Sequence, residues 1–352
     1  MSAPRYVLEE GRAREARRRR REQARRRRRP PRPPRRWPKW AAIGVLGVGL
    51  AVAAVLFLMA PGASDPGTVG DAATTPTPRP PIPHAPARPQ YGVTLAPSAQ
   101  RLQGRVVKGK LTSGLLFDVR DGRVMWERNP GQQLPIASLT KMMTALVVVD
   151  KAKPNAHVLI TRDATRFTGS GVGELPVGKR VPLRPLLYGL LLPSGNDAAI
   201  ALALHVAKSQ TRFVAMMNNR AHQMGLSCTH FTTVSGILDR GNHSCAADLA
   251  VLAHAMLQNK LLAKIVRTRN AVLPFPIKSH RIWLNNNNPL EIGRYPGIDG
   301  VKTGFTDSAG LCIVATARRG RHWLGVVLLH SENWTTQAEQ LLDAGFQKLQ
   351  RS

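Results

Sequence analysis

Positions 137 to 146 read ASLTKMMTAL, a largely apolar stretch that carries Ser138 and, three residues on, Lys141. On a helix, residues three apart lie on one face about a turn from each other, so the amine would reach the hydroxyl. A serine hydroxyl is a poor nucleophile until a base takes its proton, and no histidine lies near Ser138 in sequence. Lys141 is the nearest candidate base, provided that it is neutral part of the time. Burial and a second cation would both lower its pKa. A helix start would also aim the Ser138 backbone N–H at a developing oxyanion. Standing alone, the same residues are an ordinary helix start, with Ser138 as cap and Lys141 as a surface charge.

Two further motifs change that balance. Ser194-Gly195-Asn196 follows Ser138 by 56 residues, in a PSGND turn between two apolar segments, and Lys302-Thr303-Gly304 lies another 108 residues on, at the start of a predicted strand. Each triplet is common by chance, and Ser194, Asn196 and Lys302 are all good turn or loop residues. In this order, each at an element boundary, the three motifs together point to one catalytic site.

The elements that must bring them together are legible from residue 100 onward. SGLLFDVRDGRVMWERN places Asp121-Gly122 between two alternating apolar runs, which predicts a β-hairpin, and GLCIVATARRGRHWLGVVLLH repeats that pattern near the end. Between them, LTKMMTALVVVDKA, PLRPLLYGLLLPSGNDAAIALALHVA, TRFVAMMNNRAHQM and AADLAVLAHAMLQ have helical spacing, and TTQAEQLLDAGFQKL closes the chain as a helix. Strands at both ends with helices between predict an α+β domain whose antiparallel sheet draws on both termini.

With these motifs in place, the segment from about Lys110 to Gln347 resembles the penicillin-binding D-alanyl-D-alanine carboxypeptidases, serine peptidases that trim bacterial peptidoglycan. The resemblance extends to PIASLTKMMTALVVVD, LLYGLLLPSGNDAAIALA and GIDGVKTGFTDSAG. It implies a β-lactamase/transpeptidase-like fold, a five-stranded antiparallel sheet flanked by helices with an all-helical subdomain. It also implies roles. Ser138 is the nucleophile and Lys141 its base, with Lys302 the nearby cation; Ser194 relays the proton to the leaving amine, and Asn196 holds the substrate amide. Lys302 and Thr303 bind the terminal carboxylate, Phe305 supplies the second oxyanion N–H, and Gly304 lets the substrate lie along the strand. The expected partners are peptidoglycan stem peptides and β-lactam antibiotics, with no metal or organic cofactor. Endopeptidase action on cross-links, a β-lactamase, and a catalytically idle cell-wall binding module are the alternatives. Glu174 does not stand in a Glu-x-x-Leu-Asn setting, and Ser-Gly-Asn replaces the Ser-Asp-Asn of β-lactamases.

The formal net charge of +30 would suggest nucleic acid, but its distribution does not. Residues 1–39 hold sixteen arginines and one lysine against four glutamates, a surplus of +13 in a Pro-rich tail expected to be disordered. WAAIGVLGVGLAVAAVLFLMA, residues 40–60, has no charged residue and would reach about 31 Å as a helix, enough to cross a bilayer's hydrocarbon core. Arginines flank one end only, which predicts a cytoplasmic tail, a single transmembrane anchor and an extracytoplasmic remainder; a cleaved signal peptide is the alternative. The tail then meets anionic lipid headgroups rather than nucleic acid. Residues 61–99 read as a Pro-rich linker ahead of a peptidase domain at 100–352. Outside the membrane, Cys228 and Cys245 are expected to form a disulfide; with His230 and His243 the same residues could ligate zinc instead. Cys312, in an apolar strand, reads as a small core residue.

Overall fold

The computed structural model describes residues 91–351 apart from 174 and 239. The basic tail, the apolar run 40–60, the linker up to residue 90 and Glu174 lie outside the described residues.

One sheet is assembled from both ends of the domain. Strands β1 (Thr94–Leu95), β2 (Leu111–Asp118) and β3 (Arg123–Arg128) precede the helical region, and β4 (Ile298–Thr306), β5 (Gly310–Arg319) and β6 (His322–Ser331) follow it. In space they run β1-β3-β2-β6-β5-β4. The antiparallel pairing of β6 with β2, Val326 opposite Leu116, joins the two ends of the domain at the middle of the sheet. The five expected antiparallel strands are joined by a sixth: β1 pairs parallel with β3 through Thr94 and Leu95. A two-residue strand has no alternation to read, so nothing in the sequence marks it. The chain expected to be linker as far as residue 99 therefore meets the domain earlier. The Tyr91 ring stacks on His254 with centroids 3.6 Å apart, and its hydroxyl donates to the Val119 carbonyl at 3.2 Å.

The central strands are apolar on both faces because both faces are covered. Leu115 and Phe117 of β2, with Val327 and Leu329 of β6, point into a core shared with the helical region. Their neighbours Leu116, Leu324, Val326 and Leu328 point the other way, onto Leu341, Leu342 and Phe346 of the C-terminal helix α6 (Trp334–Gln350). The helices that matter for the site are α1 (Lys141–Lys151), α2 (Leu183–Leu191), α3 (Asn196–Ala207), α4 (Gln210–Gln223) and α5 (Ala246–Gln258). Every residue of α1 from Lys141 to Val148 is buried, as in a helix enclosed by others. Its first residue therefore stands in the interior. Among the described residues, no single helix is long and apolar enough to cross a membrane.

Candidate active site

The turn that carries Ser138 is tighter than expected. Ala137–Thr140 forms a 3-10 turn, and the α-helix begins only at Lys141. Ala137 takes a positive φ of 46°, and Thr140 Oγ1 donates to the Ala137 carbonyl at 2.8 Å. Asn242 Nδ2 in turn donates to Thr140 Oγ1 at 2.8 Å. Gly236 lies so close that a Cβ there would collide with the Ala137 carbonyl. These contacts hold Ser138 partly buried, while its neighbours Ala137 and Leu139 are buried outright.

Behind it, Lys141 Nζ lies 2.8 Å from Ser138 Oγ and donates to the Ser235 carbonyl at 2.7 Å. Lys141 is wholly buried. Its pKa is held well below the usual lysine value, first by burial and then by the charge of Lys302, while the Asp197 carboxylate pulls in the opposite direction. A neutral amine at this position keeps one N–H on Ser235 and offers its lone pair to the serine proton. That is the arrangement of a base beside its nucleophile.

Lys302 sits in the middle of β4, not at its start, and is 1% exposed. Its ammonium donates to the Thr303 carbonyl at 2.9 Å, and burial brings its pKa down to about 7. The Thr303 hydroxyl donates to Asn287 Oδ1 at 2.9 Å. Gly304 faces the Ser138 turn directly. A Cβ there would stand 2.9 Å from both the Ser138 nitrogen and the Ile136 carbonyl oxygen. The glycine is thus required by the close approach of β4 to the Ser138 turn, a reason additional to the expected passage of substrate. Phe305 follows on the sheet's edge strand and is 58% exposed.

The third wall is the corner between α2 and α3. Ser194 adopts φ 67°, a strained conformation for a residue with a side chain, and such strain concentrates at functional sites. Its Oγ is buried without a hydrogen-bond partner among the described residues, and so is Asn196 Oδ1. Unpartnered buried oxygens are costly unless a ligand completes them. The Asn196 amide is oriented by a strap at residues 168–172: its Nδ2 donates to the Thr168 carbonyl at 2.6 Å and its backbone N–H to Ser170 at 2.8 Å. This leaves Oδ1 as the acceptor for an incoming N–H. Asp197, also buried, fixes the strap by accepting from the Val172 N–H at 2.8 and 2.9 Å and from Ala198 at 2.8 Å.

The Ser138 and Lys302 motifs thus meet at Gly304, and the corner that carries Ser194 joins them through the Leu192 carbonyl, which accepts the Asn287 N–H at 3.2 Å. Sequence reasoning missed Ser235, Gly236, Asn242, Asp197 and Asn287. Asp197 stood in view inside PSGND; the others lie in segments with no catalytic signature, and Asn287 was hidden in a run of four asparagines. Cys228 and Cys245 form a disulfide with Cα atoms 5.7 Å apart, so their sulfurs are engaged with each other. His230 and His243 pair through backbone hydrogen bonds on adjacent segments.

Residues 106–333 match the model of a peptidase S11 family described as D-alanyl-D-alanine carboxypeptidase. The chain is 34% identical over 241 residues to the D-alanyl-D-alanine carboxypeptidase DacF of Bacillus subtilis, covering 65% of this chain and 60% of that protein. It is 36% identical over 238 residues to DacD of Escherichia coli, with the same two coverages. The chain thus spans about 60% of the length of these curated relatives. The solved structure of a D-alanyl-D-alanine carboxypeptidase from Mycobacterium tuberculosis superposes with a TM-score of 0.65 at 32% identity, over 69% of this chain and 94% of that one.

Proposed function

The chain belongs to the D-alanyl-D-alanine carboxypeptidase family of serine peptidases, and on that premise we propose that it removes the terminal D-Ala from peptidoglycan stem peptides through an acyl-enzyme on Ser138. The observation that carries the reading is the 2.8 Å approach of a wholly buried lysine amine to Ser138 Oγ, next to a second buried amine.

In the proposed reaction, the Lys302 ammonium and the Thr303 hydroxyl receive the terminal carboxylate. The Ser138 proton passes to neutral Lys141 as Oγ bonds to the penultimate carbonyl carbon. The resulting oxyanion is met by the N–H groups of Ser138 and Phe305. Collapse breaks the C–N bond, and the departing D-Ala amine takes a proton from Ser194 Oγ, which is replenished from the Lys141 ammonium. Water then attacks the ester, Lys141 takes its proton, and that proton returns to Ser138 as the shortened peptide leaves. Penicillin enters as a cyclic amide whose ring stays attached after acylation, so it is expected to leave a long-lived adduct on Ser138.

The domain's place in the cell is proposed on separate grounds: residues 40–60 anchor it, with the arginine-rich tail cytoplasmic and the peptidase domain outside. The one-sided arginines support this orientation. So does the Cys228–Cys245 bridge, since disulfides persist in oxidising compartments. Mass spectrometry of the protein after incubation with penicillin, and separately with a D-Ala-D-Ala peptide, tests the activity. Wild type should gain one penicillin mass and release D-Ala; Ser138→Ala should do neither. A wild-type protein that takes up no penicillin and releases no D-Ala refutes the proposal.

A further inference from the structure

A hairpin formed by Asn270–Pro274 and Arg281–Asn285 buries only one of its faces. Ala271, Ile282 and Leu284 enter the core on the helical side of the sheet. The opposite face presents the cross-strand pairs Asn270 with Asn285, Val272 with Trp283, and Pro274 with Arg281. Val272 is 50% and Trp283 59% exposed. Among the described residues the Trp283 ring has no aromatic or cationic partner. The Asn270 and Asn285 side chains are also without protein hydrogen bonds there.

This face lies close along the chain to the proposed substrate cleft. Two residues beyond Asn285 stands Asn287, which accepts the Thr303 hydroxyl. Two residues of chain span at most about 7 Å, so the row ending in Asn285 begins within that distance of the residue that holds the Thr303 hydroxyl. An apolar platform bordered on one side by neutral amides, and on the other by Pro274 and Arg281, has a specific chemical complement. A pyranose ring offers an apolar C–H face for the indole, and its rim of hydroxyl and acetamido groups suits side-chain amides that both donate and accept.

We propose that the outer face of this hairpin is a subsite for the glycan chain to which the stem peptide is attached. One sugar ring stacks on Trp283 and Val272, and its polar rim is met by Asn270 and Asn285. The proposal rests on the peptidoglycan activity proposed above and names the part of the polymer that a short peptide lacks.

The test uses the full chain in detergent. Binding to purified insoluble peptidoglycan is measured by sedimentation in a Ser138→Ala background, and turnover of a sugar-free D-Ala-D-Ala peptide is measured with Ser138 intact. Trp283→Ala should weaken peptidoglycan binding at least fivefold, leave peptide turnover and penicillin acylation within twofold, and keep the melting temperature. Trp283→Tyr should retain most of the binding. Sedimentation of Trp283→Ala equal to wild type overturns the proposal. So does an equal loss on the sugar-free peptide, or a change confined to self-association in the ultracentrifuge, which would make the face a contact between copies. Trp283-dependent binding in a protein that neither acylates nor releases D-Ala would leave the glycan subsite standing and remove the enzymatic reading instead.

Discussion

Gly304 and Ser138 lie so close that a methyl group on the glycine would stand 2.9 Å from the serine's backbone nitrogen. The edge strand and the Ser138 turn are therefore in contact at their backbones, and any side chain between them must push one away. Gly304→Ala is expected to lower acylation by penicillin about 100-fold, the scale of a misplacement of roughly 1 Å in a reacting geometry. Its melting temperature should stay within a few degrees of wild type, because the clash is relieved at a sheet edge. Acylation rates followed by mass spectrometry decide the matter; a rate equal to wild type would mean that β4 and the turn are not held in register.

In the proposed reaction the two buried amines set opposite limits on activity. Lys141 must be neutral to take a proton, so kcat/KM rises as pH climbs through its lowered pKa. Lys302 must be charged to bind a carboxylate, so kcat/KM falls as pH climbs through a value of about 7 in the free enzyme. Lys302→Arg is expected to remove the falling limb, since a guanidinium stays charged throughout this range. Lys141→Arg is expected to lose at least about 1000-fold in acylation for the same reason, because it has no neutral form to act as base. A pH–rate profile of wild type and both variants tests the assignment; an unchanged falling limb in Lys302→Arg would contradict it.

Asp197 touches no substrate in the proposed reaction, yet it ties the strap at residue 172 to the corner that presents Asn196. Asp197→Asn replaces an acceptor by an amide that cannot take the Val172 N–H on both atoms. A loss of roughly 10-fold in kcat/KM is expected. The negative charge also raises the pKa of Lys141, so its removal should move the rising limb of the pH profile to lower pH. A loss of rate without that shift would assign Asp197 a purely structural part.

The Cys228–Cys245 bridge spans 17 residues of sequence and ties the segment before the His243–Ser244 strand to the start of α5. Closing a loop of this size stabilises a fold by about 3 kcal/mol in the chain-entropy model. The double substitution Cys228→Ser/Cys245→Ser should therefore lower the denaturation midpoint, and a reducing agent should do the same to wild type but not to the variant. Equal midpoints with and without reductant in wild type would count against the bridge.

Much of this protein was written locally. The hairpin around Asp121-Gly122, the helix from Lys141 and the closing helix follow from alternation and helical spacing, which the chain carries within each segment. The three motifs, and through them Ser138 and Lys141, are likewise short-range patterns in a fixed order. What no window of the sequence contains is the meeting of remote segments. The acceptance of the Lys141 proton donor by the Ser235 carbonyl joins residues 94 apart, and Asn242 reaches Thr140 across 102. Gly304 needs its missing side chain only because β4 passes beside a turn formed by residues 136–138, and Asn287 gains a partner only where its segment meets Thr303. The edge strand β1 is two residues long and acquires its identity from β3. Periodicity records which face of a segment is buried; which remote backbone that face meets is fixed only when the whole core packs at once.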